Sequence, residues 1–349
     1  MPRPLLFSSS IHEMILSADS RDFQACIGRP PGAGLPAKAV VLITRAGDRE
    51  ADELSLRLAA RNVPVVRFDS DRVGRASFQW DVPSGVCTFD GSSFIPSVCW
   101  VRSFYRSSIA ATGDAAADAY VTDNWAALVA ALTEDPRTDT VNADADMSRP
   151  GVLAQLAAAV RAGLRVPASI VTTDLADGAR SLPGDGDVVV KTLGDHFVEV
   201  VPGRLVAVLP RRVARPDLAD RPLEPAPVLV QEFIASTREL RIYGVADQLV
   251  AFEVAKASPE SPWTEPDSVA IREAPVPAHL RRPLRALMSR LRLDVGAFDV
   301  LETLDGPVFL EVNPTGDWLT FESRAGVTTV TDAVVDLLAG RYANPRTAS

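Results

Sequence analysis

Residues 309–318 read Phe309-Leu310-Glu311-Val312-Asn313-Pro314-Thr315-Gly316-Asp317-Trp318. Side chains on a strand alternate with period two. Val308, Leu310 and Val312 then share an apolar face, and Glu311 and Asn313 share the other. Two hard oxygen ligands side by side on a strand suit Mg²⁺, which takes carboxylates, carbonyls and phosphate oxygens. An edge strand with a polar outer face would alternate in the same way.

The preceding stretch narrows the choice. Gly296-Ala297-Phe298-Asp299-Val300-Leu301-Glu302 is followed by Leu304-Asp305-Gly306 and then the Glu311 strand. Asp-Gly between apolar runs signals a hairpin. A two-residue loop, Asp305-Gly306, would pair Asp299 with Val312 and put a charge on the buried face. A three-residue loop, Leu304-Asp305-Gly306, pairs Thr303 with Pro307 and sets Asp299 opposite Glu311. Apolar patterning fixes register, so the second arrangement is expected. It gathers Asp299, Glu311 and Asn313 on one face as a metal set.

Composition bounds the rest. The chain has 349 residues, enough for two or three domains. A formal charge of −9 argues against a general nucleic-acid binder. An anionic ligand must therefore be held by local cations. Cys26, Cys87 and Cys99 show no metal spacing, and an odd, sparse count fits a reducing cytoplasm. His12, His196 and His279 are scattered, which disfavours a zinc site or a Ser-His-Asp hydrolase. No apolar run approaches a membrane span, and no signal peptide is legible.

Residues 1–38 form an extension of unknown role, with a Gly/Pro-rich linker at 28–34. From Ala39 the pattern sharpens. Ala39 to Thr44 reads as a buried strand, Ala51 to Arg61 as a helix, and Val63 to Phe68 as the next strand. This βαβ start predicts a parallel α/β sheet. Strands near Ser77 to Val82, Val86 to Phe89 and Val98 to Ser103 follow, then an alanine-rich helix, Asp114 to Leu132, and a short strand, Thr140 to Asn142. Leu153 to Gly163 is another helix. A β-rich stretch runs from Val166 to Ala255. Pro277 to Leu291 is a helix leading into the hairpin, and Val330 to Leu338 is the last.

Three further pieces carry chemistry. Val188-Val189-Val190-Lys191 is an apolar strand ending in lysine. An ammonium there can act as a point charge for phosphate oxygens, or as a strand-edge gatekeeper. Val228 to Ile234 is an apolar strand ending in Gln231-Glu232-Phe233-Ile234, whose backbone groups can meet a flat base. Glu239 and Arg241 share a strand face and could form a surface pair, or hold a ribose hydroxyl and a phosphate.

In order, Lys191, the Gln231-to-Ile234 strand, Glu239 and the set Asp299, Glu311 and Asn313 resemble the ATP-grasp fold over roughly residues 146–342. A narrower resemblance runs from about Ala39 to Tyr342. Leu42-Ile43-Thr44 with Asp48, Val65 to Asp69, Cys99-Trp100-Val101-Arg102, Val141-Asn142 and Gly163-Leu164-Arg165-Val166-Pro167 carry it, with Glu311 to Trp318 and then Glu322. These are similar to the microviridin-type graspetide synthetases, ATP-grasp maturases of ribosomal peptides. The resemblance implies an α/β, partly α+β, architecture. A pre-ATP-grasp domain spans 39–145, a central subdomain 146–234 and a C-terminal subdomain 235–342, with a tail at 343–349.

It also implies an ADP-forming ligase that uses ATP and Mg²⁺. A side-chain carboxylate of a precursor peptide is activated as an acyl phosphate, then joined to a side-chain hydroxyl or amine in an ester or amide macrocycle. Lys191 and Arg241 are the expected catalytic cations. Gln231 to Ile234, Glu239, Lys256 and Arg149 are the other expected nucleotide contacts. Val152 stands where the family often has a lysine, and Arg149 is the nearest cation. Trp100, Arg102, Asp317 and Trp318 are candidates for the peptide-facing surface, or in the case of Trp100 for the core. The partner is a ribosomal precursor with leader and acidic core; a homodimer stays open. Two other readings remain: an ATP-grasp carboxylate–amine ligase acting on a free amino acid or peptide terminus, and an inactive nucleotide-binding regulator.

Overall fold

The computed structural model describes residues 12–15, 36–73, 77–104, 109, 113–143, 150–194, 197–201, 204–207, 209–236, 238–258 and 269–346. Arg149 and most of the 1–38 extension lie outside these residues. Within the extension, His12–Ile15 is a strand antiparallel to Arg204–Ala207, and residues 37–38 begin strand Ala37–Thr44.

The βαβ start is present. Ala37–Thr44 runs parallel to Val65–Asp69 on one side and to Ser92–Val101 on the other. Helix Arg49–Ala60 crosses between the first two, and the Asp48 carboxylate caps it by accepting from the Ala51 amide. Asp139–Val141 adds a further parallel strand, and Val86–Phe89 with Phe78–Asp81 extends the sheet as an antiparallel meander.

Besides a three-stranded antiparallel sheet of order His12–Ile15, Arg204–Ala207, Phe197–Val201, two larger antiparallel sheets follow. The smaller has the order Arg211–Val213, Val188–Lys191, Val228–Glu232, Ser169–Thr172. The larger has the order Val269–Ala274, Gln248–Lys256, Arg238–Val245, Val295–Thr303, Gly306–Asn313. One face of the larger sheet (Leu240, Ile242, Phe298, Val300, Val312) packs in a single cluster with Leu280, Leu284 and Leu287 of helix Ala278–Arg290. The other face divides. At one end Tyr243, Val245, Phe252, Val295 and Ala297 join Val40, Leu42 and Trp100 of the first sheet, with helix Thr329–Ala343 contributing Val330, Val334 and Leu338. At the other end that face is polar, and it carries the site described below.

The hairpin corrects one expectation and keeps its consequence. Thr303 pairs with Gly306, so Leu304 and Asp305 form a two-residue turn in place of the expected three-residue loop. Gly306 has φ +102°, which only glycine adopts without strain. Farther along, Val300 faces Phe309 and Asp299 faces Glu311, leaving Leu310 as a bulge. That extra residue restores the Asp299–Glu311 pairing. It also interrupts the alternation, so Phe309 rather than Leu310 joins the cluster holding Phe298 and Val312. A uniform pleat cannot foresee the insertion.

Short elements were the least legible. Helices Leu175–Ser181 and Leu319–Ala325 are seven residues each, too short for a clear apolar period. Strand Val269–Ala274 lies at a sheet edge with mostly exposed side chains. Beyond the last helix, Arg346 ties the expected tail to Asp139 and Asp294, the former at 2.8 Å through its backbone amide.

Asn142 fastens the first sheet to the larger antiparallel one. It has φ +56°, a left-handed conformation that asparagine tolerates better than most residues. Its Nδ2 donates to the carbonyls of Val295 (3.0 Å) and Pro314 (3.1 Å). Its Oδ1 accepts from the amides of Asp294 (2.7 Å) and Val295 (2.9 Å). All four hydrogen-bonding positions of the amide are used in a buried place. Asn142→Ala strands several backbone groups and places alanine at positive φ, so a loss of about 3 kcal/mol is expected. A thermal melt within 1 °C of wild type would contradict this role for the side chain.

Candidate functional site

The polar end of the larger sheet is assembled by strand register. Arg241 lies opposite Asp299, and Asp299 opposite Glu311. Asn313 lies opposite Ala297, and Glu239 opposite Val254. By alternation Glu239, Arg241, Lys256, Asp299, Glu311 and Asn313 all project from one face. Sequence spacing predicted a shared face for Asp299, Glu311 and Asn313 and, separately, for Glu239 and Arg241; the strand pairing brings the two groups and Lys256 to the same face of the sheet.

Arg241 and Asp299 form its buried centre. Arg241 Nη1 donates to both oxygens of Asp299, at 2.9 and 2.7 Å. The guanidinium also lies over the rings of Tyr243 and Phe321, with centroids 5.5 and 5.6 Å away. Burial pushes the Asp299 carboxyl up to about 6; Arg241 opposes the shift and the charge of Glu311 adds to it. Lys256 Nζ meets Glu239 Oε1 at 2.5 Å.

Lys191 comes from the other antiparallel sheet. It ends Val188–Lys191, whose alternate residues Val188 and Val190 are buried in a separate apolar cluster. Its ammonium points across to Glu311 Oε2, 3.9 Å away. A cation of the smaller sheet thus meets a carboxylate of the larger one.

The strand leading to Ile234 is held by its neighbours. Gln231 is buried and donates through Nε2 to Ser169 Oγ at 2.9 Å. Glu232 uses both backbone and side chain on Ala168: its amide donates to the Ala168 carbonyl, and its Oε1 accepts from the Ala168 amide, each at 3.0 Å. The Phe233 amide donates to the Asp187 carbonyl at 3.0 Å, and Arg212 stacks on the Phe233 ring at 4.0 Å.

The donor set on the larger sheet fits a hard divalent cation in its chemistry: two carboxylates and an amide oxygen on adjacent strands. Among the described residues no group of three His, Cys, Asp or Glu side chains is placed to hold a metal ion. Asn313 Oδ1 accepts from the Thr315 amide (3.2 Å) and hydroxyl (2.8 Å), which fixes the plane of the side chain.

Gln155, Thr315 and Tyr243 are supports that the sequence did not reveal. Gln155 Oε1 accepts from the Val312 amide at 2.9 Å, bracing the strand between Glu311 and Asn313. The Tyr243 hydroxyl donates to the Asp317 carbonyl at 2.6 Å. No local pattern distinguishes these from ordinary core or loop residues.

Of the four residues expected at a peptide-facing surface, Asp317 alone is exposed. Trp100 and Trp318 are fully buried and Arg102 is 3% exposed. The indoles lie nearly parallel, 5° apart, with Arg102 4.9 and 4.8 Å from their centroids. The Trp318 N–H donates to Thr331 Oγ1 at 2.9 Å, and Glu322 accepts from the Thr331 amide at 2.8 Å. Trp100, Arg102 and Trp318 therefore join the first sheet to the end of the metal-set strand. They do not line a surface open to a peptide, because large aromatic rings are stabilised most when wholly withdrawn from water.

No family model matches the chain, and no curated protein matches it. Solved structures do. The chain resembles the ATP-grasp ligase PsnB complexed with minimal precursor, at 21% identity and a TM-score of 0.71, covering 87% of this chain and 99% of that one. It resembles the macrocyclase MdnC of Microcystis aeruginosa MRC bound with precursor peptide MdnA at 21% identity and 0.72, covering 86% and 99%. A RiPP-associated ATP-grasp ligase from Chryseobacterium gregarium, in complex with ADP and a leader and core peptide, gives 19% and 0.72, covering 89% and 99%. The fold is that of the ATP-grasp ligases. The smaller antiparallel sheet is drawn from residues 169–232 and the larger one from residues 238–313. Among the described residues no helix is long and apolar enough to cross a membrane.

Glu50 introduces a pH dependence of stability. It lies between the first sheet and the Trp318 segment, accepting from the Leu319 amide at 3.3 Å, with Arg102 3.9 Å away. Burial pushes its carboxyl up to about 7; Arg102 opposes this, while Asp48 and Asp317 add to it. The folded state then binds the proton more tightly than the unfolded chain. This contribution to stability is full below about pH 4.5 and is lost as the pH rises through about 7. Glu50→Gln should remove most of that loss, on the order of 2 kcal/mol between pH 5 and 8. Parallel stability–pH curves for wild type and Glu50→Gln would show that Glu50 does not titrate in this way.

Proposed function

We propose that the protein is an ATP- and Mg²⁺-dependent peptide macrocyclase of the graspetide type. The observation that carries this reading is the convergence across the gap: Lys191 from one sheet reaches Glu311 of the other, beside the Arg241–Asp299 pair. A nucleotide laid between the sheets would have its phosphates beside cations from both and beside the hard oxygen donors. The similarity of the whole fold to ligases solved with precursor peptides supports a peptide substrate.

In this reading Asp299, Glu311 and Asn313 hold Mg²⁺, which when bound neutralises phosphate charge. Lys191 and Arg241 hold phosphate oxygens, Glu239 the ribose, and Gln231 to Ile234 the base. Lys256 reaches the nucleotide through the Glu239 side of the site. A side-chain carboxylate oxygen of the peptide attacks the terminal phosphorus of ATP; the bond from that phosphorus to the bridging oxygen breaks, ADP leaves with the bonding pair, and the carboxylate becomes an acyl phosphate. A hydroxyl or amine of the same peptide attacks that carbonyl; phosphate leaves with the bonding pair, and the nucleophile's proton is released. Arg241 suits the transfer because it is buried and fixed by Asp299, so its charge is oriented before substrate arrives. Asp317 is the exposed residue at this end through which an acceptor peptide could be oriented.

The deciding experiment uses a short peptide encoded beside the gene and rich in Asp or Glu with Ser, Thr or Lys. Incubation with protein and MgATP should yield a product lighter by one water for each bond closed. A mass increase equal to an added amino acid would instead indicate a carboxylate–amine ligase. ATP consumption without change in any plausible precursor would also overturn the macrocyclase reading.

Two substitutions test the nucleotide site. Glu311→Ala should nearly abolish ATP turnover while the protein keeps its fold, since the side chain is partly exposed toward the gap and outside the apolar clusters. Lys191→Ala should weaken nucleotide binding about ten- to a hundredfold, from a charge-assisted contact of roughly 1.5–3 kcal/mol. Wild-type turnover in the first variant, or unchanged calorimetric affinity in the second, would remove that residue from the site.

A further inference from the structure

Arg102 is a buried cation whose contacts all have a direction. Through Nε and Nη2 it donates to the two oxygens of Asp48, at 2.8 and 3.3 Å. Its flat face lies against Trp100 and Trp318. Nη1 donates to the carbonyl of Thr315 at 3.0 Å. The Thr315 amide and hydroxyl in turn donate to Asn313 Oδ1, the amide oxygen of the metal set. An unbroken path of two hydrogen-bonded steps therefore links the first sheet to Asn313.

The path is reinforced on both sides. Asn142 holds the Pro314 carbonyl, and Glu50 holds the Leu319 amide. Three side chains from the first domain thus grip the segment that leaves the metal strand. Asp48 is itself fixed: it caps helix Arg49–Ala60 and accepts from Thr44 Oγ1 at 2.5 Å. Its carboxyl is held below the usual range, because Arg102 and these hydrogen bonds outweigh the upward pull of burial. Arg102 is thereby anchored before it reaches Thr315.

We propose that Arg102 is a positioning residue for the divalent cation: through Thr315 it orients the Asn313 amide, so that the first domain sets the metal affinity of the C-terminal subdomain. The proposal rests on the reading of Asn313 as a metal ligand. Residues that orient metal ligands typically alter metal affinity by ten- to a hundredfold when changed. Lysine cannot replace Arg102, since a single ammonium cannot bind a carboxylate through two nitrogens, stack on indoles and donate to a carbonyl at once.

The test measures binding of Mn²⁺, as a probe for Mg²⁺, to the full chain with a non-hydrolysable ATP analogue. Arg102→Lys, Asn313→Ala and the double variant are compared with wild type by electron paramagnetic resonance. Arg102→Lys is expected to weaken Mn²⁺ about tenfold while metal-free nucleotide affinity stays at the wild-type value. In the Asn313→Ala background it should add little, the signature of two residues acting along one path. Arg102→Lys with wild-type Mn²⁺ affinity, or an effect that adds in full to that of Asn313→Ala, overturns the proposal while leaving the metal site intact. Wild-type Mn²⁺ affinity in Asn313→Ala would instead overturn the underlying ligand assignment and the proposal with it. Should Arg102→Lys fail to fold, Arg102→Gln is measured in its place, since an amide cannot hold Asp48 and reach the Thr315 carbonyl at once; weakened Mn²⁺ binding with wild-type metal-free nucleotide affinity supports the path, and wild-type Mn²⁺ binding overturns it.

Discussion

Asp299 and Glu311 face each other on neighbouring strands, and two like charges so placed repel. One of them is deeply buried, which raises the cost. Much of the surrounding architecture offsets that repulsion. Arg241 stands opposite Asp299 on the next strand and pairs with it through one nitrogen and both oxygens. Lys191 approaches Glu311 from a different sheet. Two antiparallel sheets with separate apolar clusters are thereby brought face to face at a charged seam. A cation between the two carboxylates would relieve the same repulsion.

The first domain has a part in this seam although it contributes none of the proposed nucleotide contacts. Its sheet shares an apolar cluster with the larger antiparallel sheet, so burial alone holds the bodies together over a wide area. Burial is non-directional and would tolerate small sliding motions. Among the directional contacts are those of Asn142 and Arg102, each aimed at the backbone just beyond Asn313. Hydrogen bonds to fixed carbonyls specify position where apolar packing specifies only proximity. The sulfhydryls of Cys87 and Cys99 play no part in the junction; both are buried, with their titration pushed upward by burial.

Much of the site was legible because strands carry a period of two. Alternation put Glu311 with Asn313 and Glu239 with Arg241, and register arithmetic put Asp299 opposite Glu311. The arithmetic reached the right pairing from the wrong turn, since the shorter loop and the bulge at Leu310 shift register in compensating ways. Bulges leave little trace in apolar pattern, which is why Phe309 and Leu310 exchanged roles. Trp100, Arg102 and Trp318 were legible as a distinctive set but not as to place. An aromatic and a cation suit a recognition surface and a buried stack equally well until the neighbouring chain is known.

The sequence by itself determined the longer helices and most of the strands, the parallel start of the first sheet, the charged faces of individual strands and their order along the chain. These follow from local stereochemistry and the distribution of apolar side chains. Only the tertiary structure decided that Lys191 meets Glu311 across 120 positions, that Gln155 braces Val312, and that Arg102 reaches Thr315. Those contacts depend on how sheets stack and how strands order within them. Stacking is governed by the summed packing of many residues, and no single stretch of chain encodes that sum.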